Sequence, residues 1–277
     1  MSNPGQAIAN YAPFIGLRYS FSRKRNRFTS VIALVSMLGM VLGVASLITV
    51  LSVMNGFAGE LRGRILSLVA HGYVQGDAAG IRQWRELAQQ LQAHPEVLAV
   101  SPYISSKVIF GNGSVLRGAV LTAIDPSMEE NVSGIPQAML SGSLDSLDAD
   151  TFSVVLGATL ARMLGVQVGD RIEVTLPRLT VTPLGIFPRN KKLTVSGVFE
   201  IGAQQDVYQA YVSLAGGQKL LGKKDVVEGL QVRTDDLFAA PAIMSDLARS
   251  LSAGYTVKDW SQTQGSLFAA VRLEKVM

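Results

Sequence analysis

With 277 residues, 48% of them hydrophobic, the chain carries more apolar material than a well-covered soluble core needs, so a membrane segment is expected. The formal charge is only +4, and Arg18, Arg23, Lys24, Arg25 and Arg27 crowd into one short stretch, which excludes a nucleic-acid-binding surface spread over a fold. No cysteine is present, hence no disulfide framework or thiolate site, and His71 and His94 are too few for a histidine metal cluster.

Residues 1–27 read as a basic N-terminal segment. From Phe28 to Gly59 no residue is charged, and the apolar run exceeds the ~20 residues needed to cross a ~30 Å hydrocarbon core. It is also too long for a secretory signal and lacks a clear cleavage site. A transmembrane helix is predicted over 28–56. The basic cluster before it places the N-terminus in the cytoplasm and the chain from about Glu60 onward in the periplasm. Gly39 and Gly43 form a GxxxG pair suited to close helix packing. Past Asn55 the spacing of Phe57, Leu61, Ile65 and Leu68 keeps a helical period, so 57–71 is expected to be a stalk helix.

Residues 72–103 read as strand, helix, strand, with Trp84, Leu87, Ala88 and Leu91 on one helix face. Residues 226–260 repeat the pattern, with a helix carrying Leu237, Ile243, Met244, Leu247 and Leu251. Two βαβ-like units around a long insert predict an α+β fold: a porter-like subdomain at 72–103 and 201–262, and an inserted β-rich subdomain at 104–200. The insert is expected to consist of short strands with glycine and proline turns, plus one helix at 157–164. Within it, LPRLTVTPLGIFPRNKKL (176–193) has prolines and a glycine that disfavour a continuous central strand and favour a protruding hairpin or loop.

Catalytic constellations are missing from the sequence. GQKLLGKK (217–224) approaches the phosphate-binding pattern GxxxxGK[ST], but Lys224 stands where a hydroxyl should bind magnesium, and a strand-like stretch follows where a helix is required. Asp145, Asp148 and Asp150 sit in a turn region, where solvated acids are the ordinary case. Two histidines, one in the His94–Pro95 pair that closes a helix, support no Ser/His/Asp triad. The chain reads as a non-enzyme.

Several motifs in order carry a family resemblance: FIGLRY (14–19), TVLSVMNGF (49–57), AIDP (123–126), VVLGATLARMLGVQVGDRIEV (154–174), TPLGIFP (182–188), and KDW followed by LFAAVRLEKVM (258–277). The chain resembles the LolC/LolE family, permease subunits of the lipoprotein-releasing ABC transporter, most of all its LolC branch. The resemblance implies a MacB-like periplasmic domain and a second transmembrane helix beginning at 263–277, where the chain stops. It implies extraction of triacylated outer-membrane lipoproteins from the bacterial inner membrane and handover to the periplasmic chaperone LolA. Partners implied are membrane lipids, a second permease subunit and an ABC ATPase dimer, LolD, which would bind the ATP and Mg; this chain itself would hold no cofactor and no metal.

In that family the lipoprotein path runs along the periplasmic ends of the first helices, the region of Ser46, Val50 and Met54 here. The family's chaperone-binding hook matches residues 176–191: Pro183 at the tip, with Leu184, Gly185, Ile186, Phe187 and Pro188, then Asn190 and Lys191 at the base and Arg171 nearby. Lysine stands at 191 where the family has arginine, which removes a planar bidentate contact. The alternatives are a MacB-type efflux or mechanotransmission permease, separated by whether a chaperone-binding hook is present, and a membrane-anchored periplasmic interaction domain.

Overall fold

The structure is a computed structural model that describes residues 27–65, 70–147, 152–182, 185–202, 204–237, 239–251 and 254–263. Helix α1, Arg27–Ile65, is unbroken, and its stretch Val31–Met54 has a mean hydropathy of 2.6. Those 24 residues rise about 36 Å at ~1.5 Å each, enough to cross a hydrocarbon core. The expected border between span and stalk leaves no break in the helix, because Gly56, the one weak former there, costs only about 1 kcal/mol. Residues 66–69 of the expected stalk, the basic segment 1–26 and the expected second span from 264 onward lie outside the described residues.

From Glu60 the chain forms its own compact unit. Its strands are β1 (Gly72–Gln75), β2 (Val97–Asn112), β3 (Val115–Ile124), β4 (Met139–Ser141), β5 (Ser153–Gly157), β6 (Arg171–Thr182), β7 (Gly185–Phe199), β8 (Gln209–Ser213), β9 (Gly229–Thr234) and β10 (Thr256–Asp259). Helix α2 (Trp84–Gln92) joins β1 to β2 and buries Trp84, Leu87, Ala88 and Leu91, the face its spacing predicts. Among the helices that follow in the chain are α3 (Pro126–Glu129), α4 (Ala158–Leu164), α5 (Gln205–Tyr208), α6 (Leu214–Leu221), α7 (Ala240–Ser250) and α8 (Trp260–Thr263). Helix α7 joins β9 to β10 and buries Ala240, Ile243, Met244 and Leu247. Leu237 lies ahead of that helix, where its carbonyl accepts the indole N–H of Trp260 at 2.8 Å.

The order β10-β1-β9-β2, antiparallel throughout, interlocks the two βαβ units in a ferredoxin-like sheet. At Tyr103 β2 changes partner, from β9 to β3. Beyond that point β2, β3, β8, β5, β7 and β6 are successively hydrogen-bonded, and β6 returns to β2 through Ile109–Gly111. The six strands therefore close a ring, which leaves no open edge inside that circuit. Its interior holds Val108, Phe110, Leu121, Val154, Leu156, Ile172, Val174, Leu193, Val195 and Val212, continuous with the core under α2 and α7.

Two expectations are corrected. Strands of the insert are long, up to 15 residues in β7, because paired hairpins extend past the glycines and prolines that make them look short. Pro177 falls where the β6–β7 ladder shifts register between Leu176 and Leu179, so its missing N–H removes no regular ladder bond. Second, β8 pairs with β3 and β5 inside the ring, so the chain rejoins the ferredoxin-like sheet after α6, not at 201.

Candidate functional site: a protruding hairpin and its root

The β6–β7 ladder runs from Arg171↔Thr194 to Thr182↔Gly185, while β2 pairs only with Glu173–Thr175 of it. Past the Leu176↔Arg189 pair, β6 and β7 are paired only with each other, in a two-stranded arm about 20 Å long at ~3.3 Å per residue. Ile186 stands opposite Val181, Phe187 opposite Thr180 and Pro188 opposite Leu179, with Gly185 at the end of the ladder. The tip residues Pro183 and Leu184 lie outside the described residues.

At the root, strand alternation decides what each side chain can meet. Ile172, Val174 and Leu176 of β6 and Leu193 and Val195 of β7 are buried inside the ring. Arg171, Glu173 and Thr175, paired with Thr194, Lys192 and Asn190, therefore face outward. Arg171 and Asn190 share this exposed face. Lys191 does not: it is paired with Val174 and stands at the opposite surface, its Nζ 5.7 Å from the centre of the Phe152 ring, within cation–π range. The grouping of Arg171, Asn190 and Lys191 as one base is thus split by the pleat. Lys192, passed over in the sequence, is the cation that accompanies Arg171 and Asn190, and a period-two reading of RNKK would have found it.

On α1, Gly39, Gly43, Ser46, Val50 and Met54 recur at spacings of four, three, four and four residues and form one stripe. A Cβ added at Gly39 or Gly43 would meet nothing, so a shallow groove runs along the stripe above Ser46. Helix α6, drawn from the GxxxxGK look-alike, is capped by Ser213, whose hydroxyl accepts the Gly216 N–H at 3.1 Å, and ends at Gly222. Asp145 lies in a short 3₁₀ turn, Leu144–Ser146; Asp148 and Asp150 are outside the described residues. His94 Nδ1 accepts the Glu96 N–H at 3.3 Å, a local turn contact.

A polar centre that sequence reasoning missed lies where β2 and β9 meet α3. Glu129 is 1% exposed, and its Oε2 accepts from Ser101 Oγ at 2.8 Å and Gln231 Nε2 at 3.3 Å. It borders a cavity of about 230 Å³ shared with Tyr73, Tyr103 and Tyr211. Burial raises the Glu129 pKa, against the opposing pull of Ser133 and Ser101, although Ser133 Oγ meets no partner at full hydrogen-bond geometry. His71 is the reverse case: burial, aided by Arg233, lowers its pKa to about 4 against the hydrogen bond from Thr234.

These shifts set opposite pH limbs. Folded Glu129 holds its proton longer than the unfolded chain, so its contribution is complete below pH 4.5 and is lost as pH rises through its raised folded value. Folded His71 resists protonation, so stability falls between pH 6.5 and about 4. Glu129→Gln keeps an acceptor for Ser101 and removes the ionisation. Its melting midpoint should exceed wild type at pH 8, converge with it towards pH 4.5, and keep the acid limb of His71. Parallel melting curves across that range would contradict a buried neutral carboxyl.

An apolar helix long enough to cross a membrane, followed by a ferredoxin-like sheet with an inserted strand ring, defines a membrane-anchored α+β core domain. The chain belongs to the MacB-like periplasmic core domain family, whose profile matches residues 33–250. It is 38% identical over 264 residues to the lipoprotein-releasing system transmembrane protein LolC of Xylella fastidiosa (strain Temecula1), covering 95% of this chain and 63% of that protein. The LolC of Neisseria meningitidis serogroup B is 36% identical over 269 residues, 95% of this chain and 64% of that protein. The LolE of Haemophilus influenzae is 28% identical over 265 residues, 94% and 64%. The chain therefore spans slightly under two thirds of the length of these relatives.

Proposed function

We propose that this chain acts as a permease subunit of a lipoprotein-releasing ABC transporter in the bacterial inner membrane, with its N-terminus cytoplasmic and its strand-rich unit periplasmic. The observation that carries the reading is the free β6–β7 arm, an element a purely structural domain has no need of, in a chain similar to LolC along 95% of its length. The arm delivers cargo by docking LolA. A separate ATPase dimer supplies ATP hydrolysis, since withdrawing acyl chains opposes about 0.8 kcal/mol per methylene. A second permease subunit packs on the Gly39–Gly43 stripe, and the lipoprotein's chains pass Ser46, Val50 and Met54 at its far end.

The test uses the full chain in detergent. Joining Leu176 to Arg189 by an Asn-Gly turn removes the arm while preserving the root register. Calorimetric titration with LolA should show an affinity loss of at least about thirtyfold, the factor equivalent to a 2 kcal/mol hot spot. Lys192→Glu should weaken binding several-fold, most strongly at low ionic strength where charge steering is least screened. Unchanged binding after removal of the arm would rule out the lipoprotein reading and favour efflux or mechanical transmission.

A further inference from the structure

The outer face of the ring beside the root of the arm carries two apolar side chains that serve no core. Ile109 on β2 is 46% exposed and Leu116 on β3 is 62% exposed. Both point away from the ring interior, which their strand neighbours Val108, Phe110 and Ala119 fill. Each stands opposite a glycine: Ile109 opposite Gly118 and Leu116 opposite Gly111. A Cβ at Gly118 would meet nothing, and one at Gly111 would press on Leu116 at 3.1 Å, so Leu116 lies down across bare backbone. Leu116 has no side chain opposite it and Ile109 meets only Thr175 of β6, so neither is covered by the apolar cross-strand partner that usually accompanies an exposed apolar residue in a sheet.

The ladders place this pair in the same two rows as the root. One row reads Gly118, Ile109, Thr175, Asn190, and the next reads Leu116, Gly111, Glu173, Lys192. At ~4.8 Å per strand step, Ile109 is about 10 Å from Asn190 and Leu116 about 14 Å from Lys192, well inside one protein footprint of ~800 Å² per partner. Lys107, Arg171 and Lys192 lie around the pair on this face, with Glu173 paired between Gly111 and Lys192. Two copies of so basic a face would repel each other, whereas a partner with an acidic rim around an apolar strip is complementary.

We infer that Ile109 and Leu116 form a second, apolar contact of the docking face, seated against the same acidic carrier protein that takes the arm. The inference rests on the function proposed above. The low glycine floor lets the partner's surface approach the strand backbone, and the two side chains supply the dry centre that the charged rim encloses.

Four proteins are compared in detergent as full chains: wild type, Ile109→Ser with Leu116→Ser, the arm-replaced chain, and wild type with a photo-crosslinking residue at position 116. Titrated with LolA, the double variant should lose about tenfold or more in affinity while keeping the wild-type melting midpoint, and position 116 should crosslink to LolA. Loss of binding in the arm-replaced chain with wild-type affinity in the double variant would overturn this inference and leave the transporter reading standing. Wild-type affinity in the arm-replaced chain would remove both. A crosslink at 116 to a second copy of the chain, or to vesicles of anionic lipid, in place of LolA would also overturn it.

Discussion

Phe110→Ala should cost about 3–5 kcal/mol of stability, the usual loss for truncating a fully enclosed phenylalanine. Phe110 is 0% exposed and sits in the middle of the three-residue β2–β6 ladder, between Ile109↔Thr175 and Gly111↔Glu173. Its ring therefore occupies the interior at the point where the strand ring closes. Because that closure is only three pairs long, lost packing cannot be shared along a longer ladder. The variant should unfold at lower denaturant concentration, followed through the fluorescence of buried Trp84 and Trp260, and a larger share of its arm should be released by limited proteolysis. Ile109→Ala, one residue away but facing outward, should change stability by no more than about 0.5 kcal/mol. Equal effects of the two substitutions would mean that the pleat is not oriented as described.

Gly217→Ala sets two magnitudes against each other. Helix propensity favours alanine by about 1 kcal/mol in the interior of α6. Packing opposes it, because the new methyl group would fall on the Ala123 Cβ of β3, with the Ala123 Cα and the Val212 Cγ2 each 3.5 Å away. Overpacking of this kind costs about 1–3 kcal/mol, and the contacts on two sides leave no direction for relief, so the net effect is destabilising. Ala123→Gly should restore much of the loss in the double variant, giving a coupling energy well above the ~0.5 kcal/mol of independent sites. Stabilisation by Gly217→Ala alone would show that α6 can lift from the sheet. Destabilisation would explain this glycine of the GxxxxGK look-alike by the close approach of α6 to β3.

What could be read from the chain alone is whatever is written in neighbouring residues. The charge-free run of α1 states its own length against the bilayer, and the spacing of Trp84, Leu87, Ala88 and Leu91 names the buried face of α2 without reference to its partner strands. Pro177, Pro183, Gly185 and Pro188 likewise announce an irregular arm, although not that its strands stay paired along most of it. The Lys191 and Lys192 assignment was within reach too, since alternation alone separates adjacent residues onto opposite faces.

Tertiary structure decided the rest, because hydrogen-bond partners across a sheet have no local signature. Closure of the ring needs Ile109–Gly111 to meet Glu173–Thr175, more than sixty positions away, and the place of β8 depends on β3 and β5, which lie far earlier in the chain. Glu129 looks like an ordinary acid in the turn PSMEEN; only the approach of Ser101 from β2 and Gln231 from β9 makes it a buried, hydrogen-bonded carboxyl. The same holds for Ile109 and Leu116, whose exposure follows from the strands that surround them. A residue's periodicity tells which way it points, but what stands there, core, solvent or partner, is set by chain segments that meet only on folding.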